Sequence, residues 1–277
     1  MRGPGLIITA DDFGLHESVN LAVERAHREG VLSAASLMVG AAAAPDAIAR
    51  ARACPRLAVG LHLVLTDGAS VLPARAIPDL VDGAGRFGSR MARDGLRFLC
   101  LPRVRRQLAM EIRAQFEEFA ASGLPLDHVN AHKHFHVHPT ILGLIIGIGR
   151  QFGLRAVRLP REAGLPLWLR PWLALQRASL DATGIEHNDY IIGLRESGGF
   201  DEAALLAALQ RLPPTGIGEL YLHPALESGA AIAASMPGYR HADEFAALVS
   251  PRVREACSRL RAQGFRFGGF ADLAVPA

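Results

Sequence analysis

The sequence predicts an α/β chain folded as a distorted parallel (β/α) barrel of roughly seven or eight strands, similar to the TIM barrel. Three observations predict it. Short apolar runs alternate with amphipathic, helix-like stretches along the whole length. No glycine-rich dinucleotide loop follows the first run, which argues against a Rossmann sheet. The residues with the most distinctive chemistry fall at or just past the C-terminal ends of the apolar runs, and on a barrel those ends converge on one face.

In order, Leu6 to Thr9 reads as the first strand. Ser18 to Glu29 follows as a helix, with Val19, Ala22, Val23 and Ala26 at helical spacing and Ser18 in the N-cap role. Ala35 to Val39 is a strand before the alanine-rich helix Pro45 to Ala53, and Leu57 to Leu65 is the next strand. Helix Arg103 to Ala121 comes only after a Gly- and Pro-punctuated insertion. Val129 to His136 reads as a strand, Thr140 to Phe152 as a helix and Arg155 to Leu159 as a strand. The strand Tyr190 to Gly193, helix Asp201 to Leu212, strand Gly218 to Leu222, helix Ala242 to Gln263 and a short strand near Phe265 to Phe270 complete the series. With no repeat and no linker, residues 1–277 read as one domain with insertions near 66–102 and 160–188.

Half of the residues are hydrophobic, enough for a sizeable core, and 30 basic against 27 acidic residues leave a net charge of +3. That balance gives no reason to expect a nucleic-acid partner. Cys54, Cys100 and Cys257 are odd in number and lack pair spacing, so neither a disulfide framework nor a cysteine metal site is expected. The first apolar run is broken by Asp11 and Asp12, and Ile141 to Ile148 is far shorter than the ~20 residues of a spanning helix. The expected location is cytoplasmic.

Asp11 and Asp12 lie side by side at a strand end, where like charges are costly without a cation. His132, His134, His136 and His138 alternate, so an extended backbone would aim all four one way. His62 and His223 end other strands, and Arg158 another. Each has an ordinary reading alone: a turn cap, a solvated strand face, a hydrogen-bonded core histidine, a surface ion pair. Joint placement at strand ends favours a site. One carboxylate and two imidazoles leave coordination positions open, as catalytic metals require. Asp11 can then take a proton from water and His223 can give one to a leaving group, which suits metal-assisted hydrolysis of an amide or ester.

Thr9-Ala-Asp-Asp-Phe-Gly14, Gly60-Leu-His-Leu63, His128-Val-Asn-Ala-His132 with its histidine tail, Val157-Arg-Leu-Pro160, Tyr221-Leu-His-Pro224, Pro237-Gly-Tyr-Arg240 and Leu248-Val-Ser-Pro251 together resemble the YdjC-like carbohydrate deacetylases over nearly the whole chain. Within them, the resemblance is to the hopanoid-biosynthesis branch called HpnK. It implies a polysaccharide-deacetylase-like barrel in which Asp12, His62 and His132 bind one divalent ion. Asp11 would be the general base and His223 the general acid. Arg158, His134 and His136 are expected to orient the base or the substrate. The implied reaction removes acetyl from an N-acetylated amino sugar, for this branch an N-acetylglucosaminyl hopanoid. The alternatives are a deacetylase of soluble N-acetylglucosamine oligosaccharides, a glycoside hydrolase, and a non-catalytic metal-dependent sugar or lipid carrier.

Relatives are described with magnesium, while two imidazoles and a carboxylate suit zinc on ligand softness. Asn130 stands where many relatives have aspartate, two residues before the ligand histidine. A lipid-linked sugar implies peripheral contact with anionic lipid. The expected surface is Arg90, Arg93, Arg97, Arg103, Arg105 and Arg106 around Phe98 to Leu101, with Trp168, Arg170 and Trp172. The ordinary reading, which the same residues favour slightly, is an arginine-rich helix start and a lid core. The sequence is compatible with a homo-oligomer.

Overall fold

The computed structural model describes residues 3–162, 164–167, 169–227, 232 and 236–274. Its centre is a parallel sheet. Strands β1 (Gly5–Phe13), β2 (Ala34–Leu37), β3 (Ala58–Leu63), β4 (Val129–Ala131), β5 (Tyr190–Ile192) and β6 (Ile217–Leu222) lie in the order β4-β3-β2-β1-β6-β5. A seventh, β7 (Arg266–Phe267), pairs with Gly5 and Leu6 at the foot of β1. Every residue of β1 and β6 is buried, as expected of parallel strands covered on both faces.

Helices fill the crossovers: α1 (Glu17–Glu29), α2 (Ala44–Arg52), α3 (Met91–Cys100), α4 (Pro102–Ala121), α5 (Pro139–Gly149), α6 (Leu169–Thr183), α7 (Glu202–Gln210), α8 (His241–Val249), α9 (Pro251–Ala262) and α10 (Phe270–Leu273). Helix α1 buries Val19, Ala22, Val23 and Ala26, the apolar stripe its sequence spacing predicts. Its N-cap is His16, whose Nδ1 accepts from the Ser18 N–H. Ser18 instead uses its hydroxyl to accept from the N–H groups of Leu226 and Glu227. The single helix expected from Ala242 to Gln263 is two, because Pro251 offers no N–H to continue the first and Ser250 caps the second.

The closed ring of seven or eight strands is not formed among the described residues. The six-strand path has two ends, β4 and β5. The expected strand from Arg155 to Leu159 contributes only isolated bridges, Val129 to Val157 and Ala156 to Glu186. Beyond them, Leu159 exchanges hydrogen bonds with the Asn188 side chain in place of a backbone partner across the seam, and Pro160 has no N–H to donate. The sheet therefore curls toward a barrel whose last seam is irregular.

The first insertion is tied down by buried polar residues of α4. Glu111 accepts from the N–H groups of Val71 and Leu72, Gln107 from Asp79, and Gln115 from Val64. Their spacing of four residues places them on one helix face. The second insertion carries α6, whose Trp172 and Gln176 donate to the Val137 carbonyl. Trp168 lies outside the described residues.

Candidate active site

The site forms where β1, β3, β4 and β6 end. Strand β1 bulges there: its register against β2 shifts between Ala10 and Phe13, and Asp12 takes a left-handed φ of 62°. A regular strand would send neighbouring side chains to opposite faces. The bulge lets both carboxylates serve one site, Asp11 facing Arg158 and Asp12 facing two imidazoles. Gly14, at φ 98°, turns the chain away. Among the described residues, the non-glycine positions with positive φ are Asp12, Asp67, Lys133 and His134. All four belong to this neighbourhood, since Lys133 follows His132 and its ammonium pairs with Asp67.

Asp12 Oδ1 lies 3.0 Å from His132 Nδ1 and 3.3 Å from His62 Nε2. One ligand atom from each of the three residues falls within 4.8 Å of the other two. Asp12 Oδ2 and His62 Nε2 are buried and make no hydrogen bond. Ligand atoms about 3.3 Å apart are what a tetrahedral ion with ~2.0 Å bonds requires, and one carboxylate with two imidazoles is a catalytic donor set. The residues present fit a divalent ion.

Asp11 is gripped by Arg158, with Nη1 to Oδ2 at 2.5 Å and Nη2 to Oδ1 at 2.9 Å. Burial would raise its pKa, but the guanidinium prevails and holds the carboxyl well below the usual range. Arg158 is itself fully buried and bonds Glu219 through Nε at 2.9 Å and Nη2 at 2.8 Å. Thr9 donates its hydroxyl to Glu219 at 2.7 Å. Tyr221 lies beneath the guanidinium, 5.0 Å from ring centre to Cζ.

A second chain of contacts steadies the imidazoles. Asp127 meets His128 at 2.9 Å, His128 meets Ser36 at 3.0 Å, and Asn130 donates to Ser36 at 2.8 Å. Gly60 is required here: a Cβ would stand 2.5 Å from the His128 ring.

His223 sits just past β6. Burial pushes its pKa down to about 4 against the pull of Asp12 and Asp11, so the resting imidazole is neutral and its Nδ1 has no partner. Glu244 accepts from the His223 N–H and His241 Nδ1 lies 2.6 Å from the His223 carbonyl, which together fix the residue's backbone. A cavity of about 290 Å³ opens over the site, with Asp11, His62, His132 and His223 on its floor and Leu194, Tyr221, Met236 and Tyr239 among its walls.

The alternating histidines do not face one way. Strand β4 stops at Ala131, and the left-handed Lys133 and His134 turn the chain into a tight 3-10 segment, His132–Val137, which scatters the four rings. His132 meets Asp12. His134 lines the cavity and packs edge-on against Tyr221, 5.0 Å between centroids. His136 is not among the cavity-lining residues; it accepts from Ala131 N–H and donates to the Arg158 carbonyl, bracing two site segments. His138 packs on Phe98 and Phe135. Sequence reasoning passed over Glu219, Lys133, Tyr221 and Glu244 as separate participants. For Glu219 a signal existed, a lone acid inside the apolar run Ile217–Leu222.

Residues 5–259 match the family described as YdjC-like protein. The chain is 41% identical over 155 residues to a carbohydrate deacetylase of Brevibacillus brevis, a stretch covering 56% of this chain and 59% of that relative. It is 34% identical over 275 residues to a chitooligosaccharide deacetylase of Serratia marcescens, covering 97% of this chain and 98% of the relative. A crystal structure from Enterococcus faecalis V583, provisionally assigned to cellobiose-phosphate cleavage, superposes with a TM-score of 0.78 at 25% identity over 99% of this chain and 100% of that one.

Proposed function

The chain belongs to the YdjC-like family, and from that premise we propose that it is a metal-dependent carbohydrate N-deacetylase, hydrolysing the acetamide of an amino sugar to amine and acetate. The observation that carries this reading is the split of two adjacent carboxylates into two environments. Asp12 faces His62 and His132, and Asp11 faces Arg158. Asp12, His62 and His132 would hold one divalent ion, zinc by ligand type or magnesium by family resemblance. Such an ion, when bound, supplies Lewis-acid polarisation of the amide carbonyl and a lowered water pKa.

The protein's own groups do the rest. Asp11, ionised under Arg158, accepts a proton from the attacking water as its oxygen bonds the acetyl carbon. His223, neutral at rest, takes up a proton from solvent during turnover and delivers it to the sugar nitrogen as the carbon–nitrogen bond breaks, and Asp11 returns the proton it took from water to solvent afterwards. Tyr221, Tyr239, Leu194 and Met236 wall the sugar. Asp11 is the one carboxylate among the described lining residues, which disfavours a glycosidase with two acids set across the sugar.

The names of the relatives favour soluble N-acetylglucosamine oligosaccharides as substrate. One observation favours the lipid-linked reading, an N-acetylglucosaminyl hopanoid. Leu96, Leu99 and Leu101 are 62%, 51% and 46% exposed at the end of α3, beside the exposed Arg93, Arg103, Arg105 and Arg106. Exposed leucines and arginines within one short stretch suit an anionic lipid surface. Phe98 is buried and Trp172 is engaged with Val137, so these aromatics would not be the inserted groups. No described helix is long and apolar enough to cross a membrane. Acetate assays on N,N'-diacetylchitobiose and on a glucosaminyl-lipid acetamide, each with and without chelator, test both readings; release from neither by metal-loaded protein would refute the activity.

A further inference from the structure

Asn130 has one amide oxygen and two neighbours able to use it. It is fully buried on β4. Its Oδ1 lies 2.6 Å from His62 Nδ1, while Nδ2 donates to Ser36 Oγ at 2.8 Å and approaches Asp11 Oδ1 at 3.4 Å. In this orientation a neutral His62 carries its proton on Nδ1, and Nε2 keeps a lone pair facing Asp12. The cost is on the other side. The amide nitrogen stands 3.0 Å from both Nη1 and Nη2 of Arg158, donor against donor. Turning the amide over removes that conflict and gives up the 3.4 Å contact to Asp11: the oxygen then stands 3.0 Å from both Arg158 nitrogens, of which Nη1 has an N–H to spare, and accepts from Ser36, whose hydroxyl can rotate, while the nitrogen donates to His62 Nδ1 at 2.6 Å. A neutral imidazole that accepts at Nδ1 carries its proton on Nε2, and that nitrogen can no longer ligate.

We propose that Asn130 is a positioning residue that sets the metal affinity, because His62 and Arg158 compete for its single oxygen. Ion binding draws the oxygen to His62, and ion loss releases it to Arg158. Metal occupancy is thereby coupled to the guanidinium that grips Asp11. A carboxylate at this place would accept from both neighbours at once. The amide cannot, and the site is correspondingly looser and more readily exchanged.

The inference rests on the metal reading of Asp12, His62 and His132 and not on any substrate. The test uses the full chain stripped with chelator and titrated with zinc chloride by calorimetry, as wild type, Asn130→Asp and Asn130→Leu. Long-range 1H–15N NMR reports the His62 tautomer. Asn130→Asp should tighten zinc binding by about 10- to 100-fold and Asn130→Leu should weaken it by a similar factor. At a pH where the 15N shifts show a neutral His62 ring, that ring should carry no Nδ1 proton in zinc-free wild type, and should carry one in the zinc-loaded protein and in Asn130→Asp with or without zinc. Added negative charge alone would raise affinity without that tautomer pattern. Wild-type affinity in Asn130→Leu protein with an unchanged thermal melt, no tightening in the near-isosteric Asn130→Asp, or an Nδ1 proton on the neutral His62 ring of zinc-free wild type overturns the proposal. Failure of every protein to bind zinc sinks the metal reading with it.

Discussion

Arg158 and Asp11 form a fully buried bidentate pair, 2.5 and 2.9 Å, and the same guanidinium closes onto Glu219 on its other edge. With Asp12, which faces His62 and His132 instead, the site buries three carboxylates beside one guanidinium; three negative charges less one positive leave two for other cations to meet, and Asp11 and Asp12 pull the His62 pKa up accordingly. Burying that excess is costly without a counter-ion. A divalent cation between Asp12, His62 and His132 would supply it, and in the proposed reaction the position of Arg158 decides which aspartate is left for proton transfer.

Asp11→Asn removes the proposed proton acceptor and leaves Asp12, His62 and His132 untouched. Turnover should fall by roughly 10²- to 10⁴-fold, while zinc stoichiometry by elemental analysis stays at the wild-type value. Near wild-type turnover would mean that Asp11 is not the base.

Glu219→Gln leaves Arg158 with a weaker partner in a site where it has no access to water. Stability should drop by about 1–3 kcal/mol, measured by denaturant unfolding. Turnover should fall more than substrate affinity, because Asp11 is then held less firmly. Unchanged stability and kinetics would show that Arg158 does not depend on Glu219.

Glu244 is buried, and desolvation pushes its pKa to about 7 even though it accepts backbone N–H bonds from His223 and Phe200. Between the usual carboxyl value of 4.5 and 7, the folded chain holds a proton that the unfolded chain has lost. Stability therefore falls as pH rises through that window, by on the order of 3 kcal/mol from this group. Glu244→Gln should flatten that part of the pH–stability curve, and an unaltered slope would refute the assignment.

Leu96→Ser with Leu99→Ser should abolish flotation with anionic liposomes at low salt and leave hydrolysis of soluble diacetylchitobiose unchanged. Wild-type protein that fails to float removes the lipid-linked substrate reading and leaves the soluble one.

The strand order of the sheet and the gathering of Asp11, Asp12, His62, His132, Arg158 and His223 could be approached from sequence, because each ends an apolar run and parallel strands deliver their ends to one face. The histidine tail could not. Its period of two is a strand pattern, but two left-handed residues, invisible to periodicity, break it after β4. The last seam of the ring was equally hidden, since Asn188 replaces backbone pairing with a side chain. The amide orientation at Asn130 depends on Arg158 and Ser36, 28 and 94 residues away in the chain.

Acetate release from N,N'-diacetylchitobiose, paired with metal analysis of the same samples, tests the central claim most directly. Chelated protein should release none, zinc or magnesium should restore release with about one ion per chain, and Asp12→Ala or His62→Ala should neither retain the ion nor recover activity. Undiminished acetate release from protein shown to be free of metal would contradict the account.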